Sequence, residues 1–123
     1  MILGLGLDVV ELDRIQRGME RHGERFLRRI LTAAEIQTMP QNAVPYVAAR
    51  FAAKEAASKA LGTGFRQGVT LHCFEISALP SGKPEIRFTG PALELAAARG
   101  VSTYHISLTH GRDIASAVVI LEG

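Results

Sequence analysis

Arg50-Phe51-Ala52-Ala53-Lys54-Glu55-Ala56-Ala57-Ser58-Lys59 is the centre of the longest helix the sequence predicts. Pro45 suits that helix's first turn, and Gly62 and Gly64 end it just after Leu61. Glu55 and Lys59 are four residues apart and share a face. Ala48 and Ala52 continue that face with almost no side-chain bulk, which invites close approach by a partner; phosphate oxygens with a bound magnesium ion would suit it. The plainer reading of the same spacing is an exposed helix with one Glu–Lys pair, worth a few tenths of a kcal/mol.

Toward the N-terminus, Gln41 and Asn42 read as a polar loop, and Thr32-Ala33-Ala34-Glu35 as a capping box opening a short helix that stops before Pro40. Gly23 separates the apolar stretch Phe26, Leu27, Ile30 and Leu31 from a helix over Glu11–His22, whose stripe is Leu12, Ile15 and Met19. Residues 1–9 alternate as a strand, and Gly4 and Gly6 in it signal close approach of another backbone or a ligand. Toward the C-terminus, Val69–Leu79 and Glu85–Thr89 read as strands joined by the turn Pro80-Ser81-Gly82-Lys83-Pro84. Pro91 starts a helix that Gly100 ends, and Val101–Thr109 pairs with Ile114–Leu121 around Gly111-Arg112-Asp113. The order β, three helices, ββ, α, ββ predicts one α+β domain over residues 1–123, with helices covering one face of a largely antiparallel sheet.

Composition agrees. The 123 residues fit one domain, and 47% hydrophobic content allows a packed core without staples. The single cysteine, Cys73, lies in an apolar alternating run and reads as a small buried hydrophobe. The apolar N-terminus has no basic leader, Asp8 interrupts it, and no run is long enough to span a membrane, so a soluble cytoplasmic protein with no membrane partner is expected. Net charge is only +2, but six arginines fall between Arg14 and Arg29 with only Glu20 and Glu24 among them. Arg14, Arg17, Arg21, Arg25 and Arg28 would form one stripe if helix continued past Gly23, a basic surface for one acidic partner.

Asp8 has two readings. It is a carboxylate at a strand end that could hold a hard cation, and Asp8-Val9-Val10-Glu11 is also a capping box for the next helix. With Glu55 it would form an oxygen-only site of few protein ligands, the way magnesium is commonly held. His22, His72, His105, His110 and Cys73 show no paired zinc spacing, and no Walker loop or Gly-x-Gly-x-x-Gly is present. His105, Ser107 and Thr109 alternate on one side of a strand that His110 ends, either a solvated face or polar groups placed for a ligand.

Taken in order, Gly6-Leu7-Asp8-Val9, Leu31-Thr32-Ala33-Ala34-Glu35, Arg50 through Lys59, Ser81-Gly82-Lys83-Pro84 and His105 through His110 resemble the bacterial holo-acyl-carrier-protein synthase family, within the phosphopantetheinyl transferases. The resemblance spans nearly the whole chain, and the Phe-x-x-Lys-Glu-Ala-x-x-Lys helix is its most specific part. It implies transfer of 4′-phosphopantetheine from coenzyme A to a serine of an acyl carrier protein, with 3′,5′-ADP leaving. It implies Asp8 and Glu55 as magnesium ligands, Lys59 beside the phosphates, and a coenzyme A site lined by segments holding Arg50, Lys54, Lys59, Gly62, Gly64, Lys83, Pro84, Ser107, Thr109 and His110. Arg14 and the arginines after it match the helix that receives the carrier. Short members are homotrimers with sites at subunit boundaries. Ile114 stands where many relatives have tyrosine. The base that takes the serine proton stays open between Glu55 and a metal-bound water. A nucleic-acid-binding module would explain the arginines but not Asp8, Glu55 or the alanine face, so no nucleic-acid partner is expected. A non-catalytic oligomerising domain would bind neither magnesium nor coenzyme A.

Overall fold

The computed structural model describes residues 1–123. Its elements are β1 (Ile2–Glu11), α1 (Leu12–His22), α2 (Glu24–Ile30), α3 (Ala33–Gln37), α4 (Ala43–Leu61), β2 (Phe74–Ala78), β3 (Pro84–Phe88), α5 (Gly90–Ala98), β4 (Thr103–His110) and β5 (Ile114–Glu122). The order is the expected one except that four helices rather than three separate β1 from β2, because the apolar stretch after Gly23 forms a helix of its own, α2. The architecture is α+β and every strand pairing is antiparallel, as expected. The strands form two sheets rather than one, a three-stranded sheet ordered β1-β5-β4 and the separate hairpin β2-β3.

The centre of the molecule is α4. It is apolar on nearly all sides and correspondingly buried, from Val47 to Leu61. This overturns the reading of an exposed helix with a Glu–Lys surface pair. The close approach that the structure shows is by β1, at Ala56 and Ala60 rather than at the expected Ala48 and Ala52. A Cβ at Gly6 would overlap the carbonyl oxygen of Ala56, and one at Gly4 that of Ala60. Glycine on the strand and alanine on the helix let two backbones touch, and this contact fixes where Asp8 lies along α4.

Alternation along β1 turns Gly6, Asp8 and Val10 toward α4, and Leu5, Leu7 and Val9 outward, where they are 60%, 57% and 55% exposed. Register extends the outer face across Ile120 and Val118 of β5 to His105 and Ser107 of β4. One face of the sheet thus carries α4, and the other is largely apolar and bare.

Two boundaries differ from expectation. The strand foreseen from Val69 begins only at Phe74, because Leu71–Cys73 wind a single 3-10 turn closed by Cys73 N–H on Thr70 O at 3.0 Å. Strand β1 continues through Glu11, whose backbone is extended and whose side chain caps nothing. The capping box proposed for Asp8 through Glu11 therefore does not form. The box at Thr32 does: Glu35 N–H donates to Thr32 Oγ1 at 3.3 Å, and Thr32 N–H to Glu35 Oε1 at 2.8 Å. Cys73 is buried, as expected.

Candidate active site

Because β1 rests on α4 through glycine and alanine, Asp8 meets the helix at Lys59. Lys59 Nζ donates to Asp8 Oδ1 and to Leu7 O, each at 3.0 Å. Lys59 does not pair with Glu55, the partner its spacing suggested. The Asp8 side chain is 17% exposed and that of Lys59 53%, so the pair opens to solvent on the lysine side. The main chain of Asp8 is held from behind by Ser116 Oγ, which donates to its carbonyl at 3.0 Å.

Glu55 lies half-buried beside them. Burial, and next the charge of Asp8, push its carboxyl above the ordinary carboxylate range; Lys59 and Arg14 pull the other way. The two carboxylates thus lie within electrostatic reach of each other, with Lys59 and Arg14 as the nearby cations. That donor set fits a hard dication that takes few protein ligands and keeps room for water and substrate oxygens. No group of three or more His, Cys, Asp or Glu side chains is placed to hold a metal, so a closed all-protein cage is not what this chain offers.

A second cluster forms at the N-terminal half of α4. Arg50, Tyr46, Ala49 and Pro45 face Leu108, Thr109 and His110 at the end of β4, across a cavity of 440 Å³ that Pro40 and Asn42 complete. Three expected ligand residues, Arg50, Thr109 and His110, thus converge. The Arg50 guanidinium lies over the Tyr46 ring, 3.5 Å from its centroid. Its Nε is buried with no hydrogen-bond partner, and no carboxylate pairs with it. Burial lowers its pKa, against the raising influence first of Tyr46 and then of Glu35.

The remaining residues of the expected site are dispersed. Gly62 takes the left-handed conformation that closes α4, its N–H on Ser58 O and Lys59 O, and Gly64 also has positive φ. Arg99 donates to Leu61 O at the same helix end. Ser107 is exposed on the outer face of β4, in line with Thr109. Lys83 and Pro84 lie at the β2-β3 turn.

Lys54 is a correction. It is 0% exposed, and its ammonium donates to Glu35 Oε1 at 2.6 Å and to Ile30 O at 2.7 Å, so it does not face a ligand. Adjacent helix residues differ by about 100° around the axis, which sends Lys54 into the core while Glu55 reaches the site.

The arginine stripe is a second correction, because Gly23, with φ of +55°, breaks the helix into α1 and α2. Arg17 pairs with Asp13 at 3.1 Å and Arg28 with Glu24 at 3.2 Å, both on the surface. Arg14 lies over the Phe51 ring and lines a 260 Å³ cleft with Ile15, Phe26, Arg29, Ile30 and Leu71. Sequence reasoning counted Arg29 in the basic run but left it out of the stripe, although it lies four residues after Arg25; it joins Arg14 in this cleft where the chain has turned at Gly23. Sequence reasoning passed over Tyr46, although the four-residue step from Tyr46 to Arg50 was the available signal.

Comparison with known proteins adds an independent line. A family model described as the 4′-phosphopantetheinyl transferase superfamily matches residues 4–119. A holo-[acyl-carrier-protein] synthase of Maridesulfovibrio salexigens is 61% identical over 123 residues, covering 99% of each chain. The crystal structure of holo-[acyl-carrier-protein] synthase from Neisseria meningitidis superposes with a TM-score of 0.91 at 40% identity, covering 100% of both chains. That of the Helicobacter pylori protein, in complex with coenzyme A, gives a TM-score of 0.85 at 30% identity, over 96% of this chain and 99% of the other.

Proposed function

We infer the reaction from one plain premise: this chain belongs to the 4′-phosphopantetheinyl transferase superfamily, among its holo-[acyl-carrier-protein] synthases. It is an enzyme of that class, with coenzyme A and an acyl carrier protein as its partners. In finer detail, a serine of the apo-carrier attacks the β-phosphorus of the coenzyme A pyrophosphate. The bond to the bridging oxygen breaks, 3′,5′-ADP leaves, and phosphopantetheine stays on the serine as a phosphodiester.

The observation that carries this reading is the meeting of Asp8 with Lys59 beside Glu55, on the strand and helix that the family match spans. Asp8 and Glu55 would hold magnesium, which when bound offsets the charge of the pyrophosphate. Lys59, on the open side of that pair, sets a fixed positive charge against the leaving phosphate. Glu55 is the carboxylate available to take the serine proton. Arg50, Thr109 and His110 bind another part of coenzyme A in their cavity.

Arg50 and Lys59 are nine residues apart, which at about 100° per residue puts them on opposite sides of α4. The bare apolar sheet face around Leu5, Leu7 and Val9 needs covering. Both support a homotrimer whose sites lie at subunit boundaries, one subunit giving Asp8, Glu55 and Lys59 and the next Arg50, Thr109 and His110. Residues 1–123 act as one domain in this reading. The arginines of α1 and α2 receive an acidic helix of the carrier, with Arg14, Arg21 and Arg25 foremost because Arg17 and Arg28 have local acidic partners. The product serves fatty acid synthesis in the cytoplasm; no helix is long and apolar enough to cross a membrane.

The test is intact-protein mass spectrometry of an apo-acyl carrier protein incubated with this chain, coenzyme A and magnesium, with a chelator control. The expected result is a mass gain of one phosphopantetheine that disappears with the chelator. No gain on a competent carrier would refute the reading.

A further inference from the structure

We propose that Tyr46 is a positioning residue for coenzyme A binding: its ring, tethered to the core, holds the Arg50 guanidinium at the wall of the cavity shared with Thr109 and His110. This rests on the reading above, in which that cavity takes part of coenzyme A.

The geometry runs from the core outward. Glu35 is 1% exposed and fixed on all sides: its carboxylate accepts from Lys54 Nζ, from Thr32 N–H, and from Ile76 N–H of β2 at 2.8 Å. The Tyr46 hydroxyl donates to the Glu35 main-chain oxygen at 2.6 Å, and Thr38 Oγ1 lies 3.0 Å from it. Tyr46 is therefore held at both ends, by α4 through its backbone and by α3 through its hydroxyl. Arg50, one turn further along α4, lies across the ring that this tether fixes.

Arg50 has no other restraint of comparable kind. No acidic side chain pairs with it, and its Nε is buried without a partner. A guanidinium held by an aromatic face keeps its N–H groups free for an anion, and stacking restricts the rotamers a long side chain would otherwise lose on binding. The arrangement is suited to a phosphate oxygen of the ligand, and it places the affinity for that phosphate under the control of a residue that bears no charge.

The test is a double-mutant cycle read as the dissociation constant for coenzyme A, by calorimetry at fixed magnesium, with kcat and KM measured in parallel. Tyr46→Leu is expected to weaken coenzyme A binding by about 5- to 10-fold, within the range of a desolvated cation–π contact. It should raise KM and leave kcat within about 2-fold, because the reacting phosphate lies at the other cluster. In an Arg50→Ala background the same substitution should have no further effect. Tyr46→Phe keeps the ring and loses only the tether. It is expected to cost about 2- to 3-fold, again only while Arg50 is present, and it carries the cycle if Tyr46→Leu does not fold. If Arg50→Ala weakens binding and the Tyr46 substitutions multiply with it independently, the proposal fails while the cavity assignment stands. If Arg50→Ala leaves the affinity unchanged, the cavity assignment fails and the proposal falls with it.

Discussion

Two lysines of α4, five residues apart, each hold a carboxylate, and their surroundings are opposite. Lys54 and Glu35 are 0% and 1% exposed, and every charged atom is hydrogen-bonded, to each other, to Ile30 O, and to the backbone of α3 and β2. Lys59 and Asp8 stand partly in solvent, with a third charge, Glu55, near enough to feel that of Asp8. A buried, satisfied pair has nothing left to offer a ligand and fixes the packing of the elements that meet there. A half-open pair with a further carboxylate nearby has, in the function proposed above, room to exchange its lysine contact for a cation or a phosphate. The difference teaches that charge alone does not mark a site; unfinished coordination does.

The largest effect should come from breaking the closed pair. Lys54→Met strands the Glu35 carboxylate in the core and should cost about 3–5 kcal/mol of stability, measured by urea denaturation. A loss under about 1 kcal/mol would erase the distinction drawn between the two lysines.

The open cluster should respond in the reverse sense. Glu55→Gln is expected to slow phosphopantetheine transfer by about 10²–10³-fold without lowering metal-free stability. Its pH dependence sharpens the point. Burial and Asp8 hold the Glu55 pKa above its unfolded value, so its stabilising contribution is fully present below the ordinary carboxylate range and is lost as pH rises through the raised pKa. Glutamine mimics the neutral form at every pH. Thermal melts without metal should show Glu55→Gln above the parent chain at neutral pH and level with it near pH 4. An equal difference at both values would mean that Glu55 is not strained by its surroundings.

The smallest effects belong to the surface arginines. Arg17→Ala and Arg28→Ala should each change stability by at most about 1 kcal/mol, since both pairs are exposed. Joint reversal of Arg14 and Arg21 to glutamate should weaken carrier binding and spare coenzyme A binding, as read by calorimetry with each partner. Equal loss of both would count against a dedicated docking surface.

Much of this molecule was legible in the sequence because local chemistry and tertiary packing agree. Pro45, Gly62, the Thr32–Glu35 box and the turn around Gly111 bound their elements as their backbone preferences require. Asp8, Glu55 and Lys59 could be named as candidates. Which lysine faces inward was not legible: the stretch around Lys54 and Lys59 is so rich in alanine that helical periodicity has no polar side to locate. Glu35 was visible as a cap but not as the acceptor for Lys54, because that contact spans 19 residues and depends on how α3 folds back. Close approach was read at Ala48 and Ala52, whereas the backbones touch at Ala56 and Ala60, because the opposed glycines of β1 determine where the strand rests.

The most direct test is calorimetric titration of coenzyme A into the chain with and without magnesium, for the parent and for Asp8→Asn. The account predicts that magnesium tightens coenzyme A binding by the parent and that Asp8→Asn, still folded, loses that dependence. The same magnesium response in both proteins, or none in the parent, would contradict the assignment of the open Asp8–Lys59–Glu55 cluster as the reacting site.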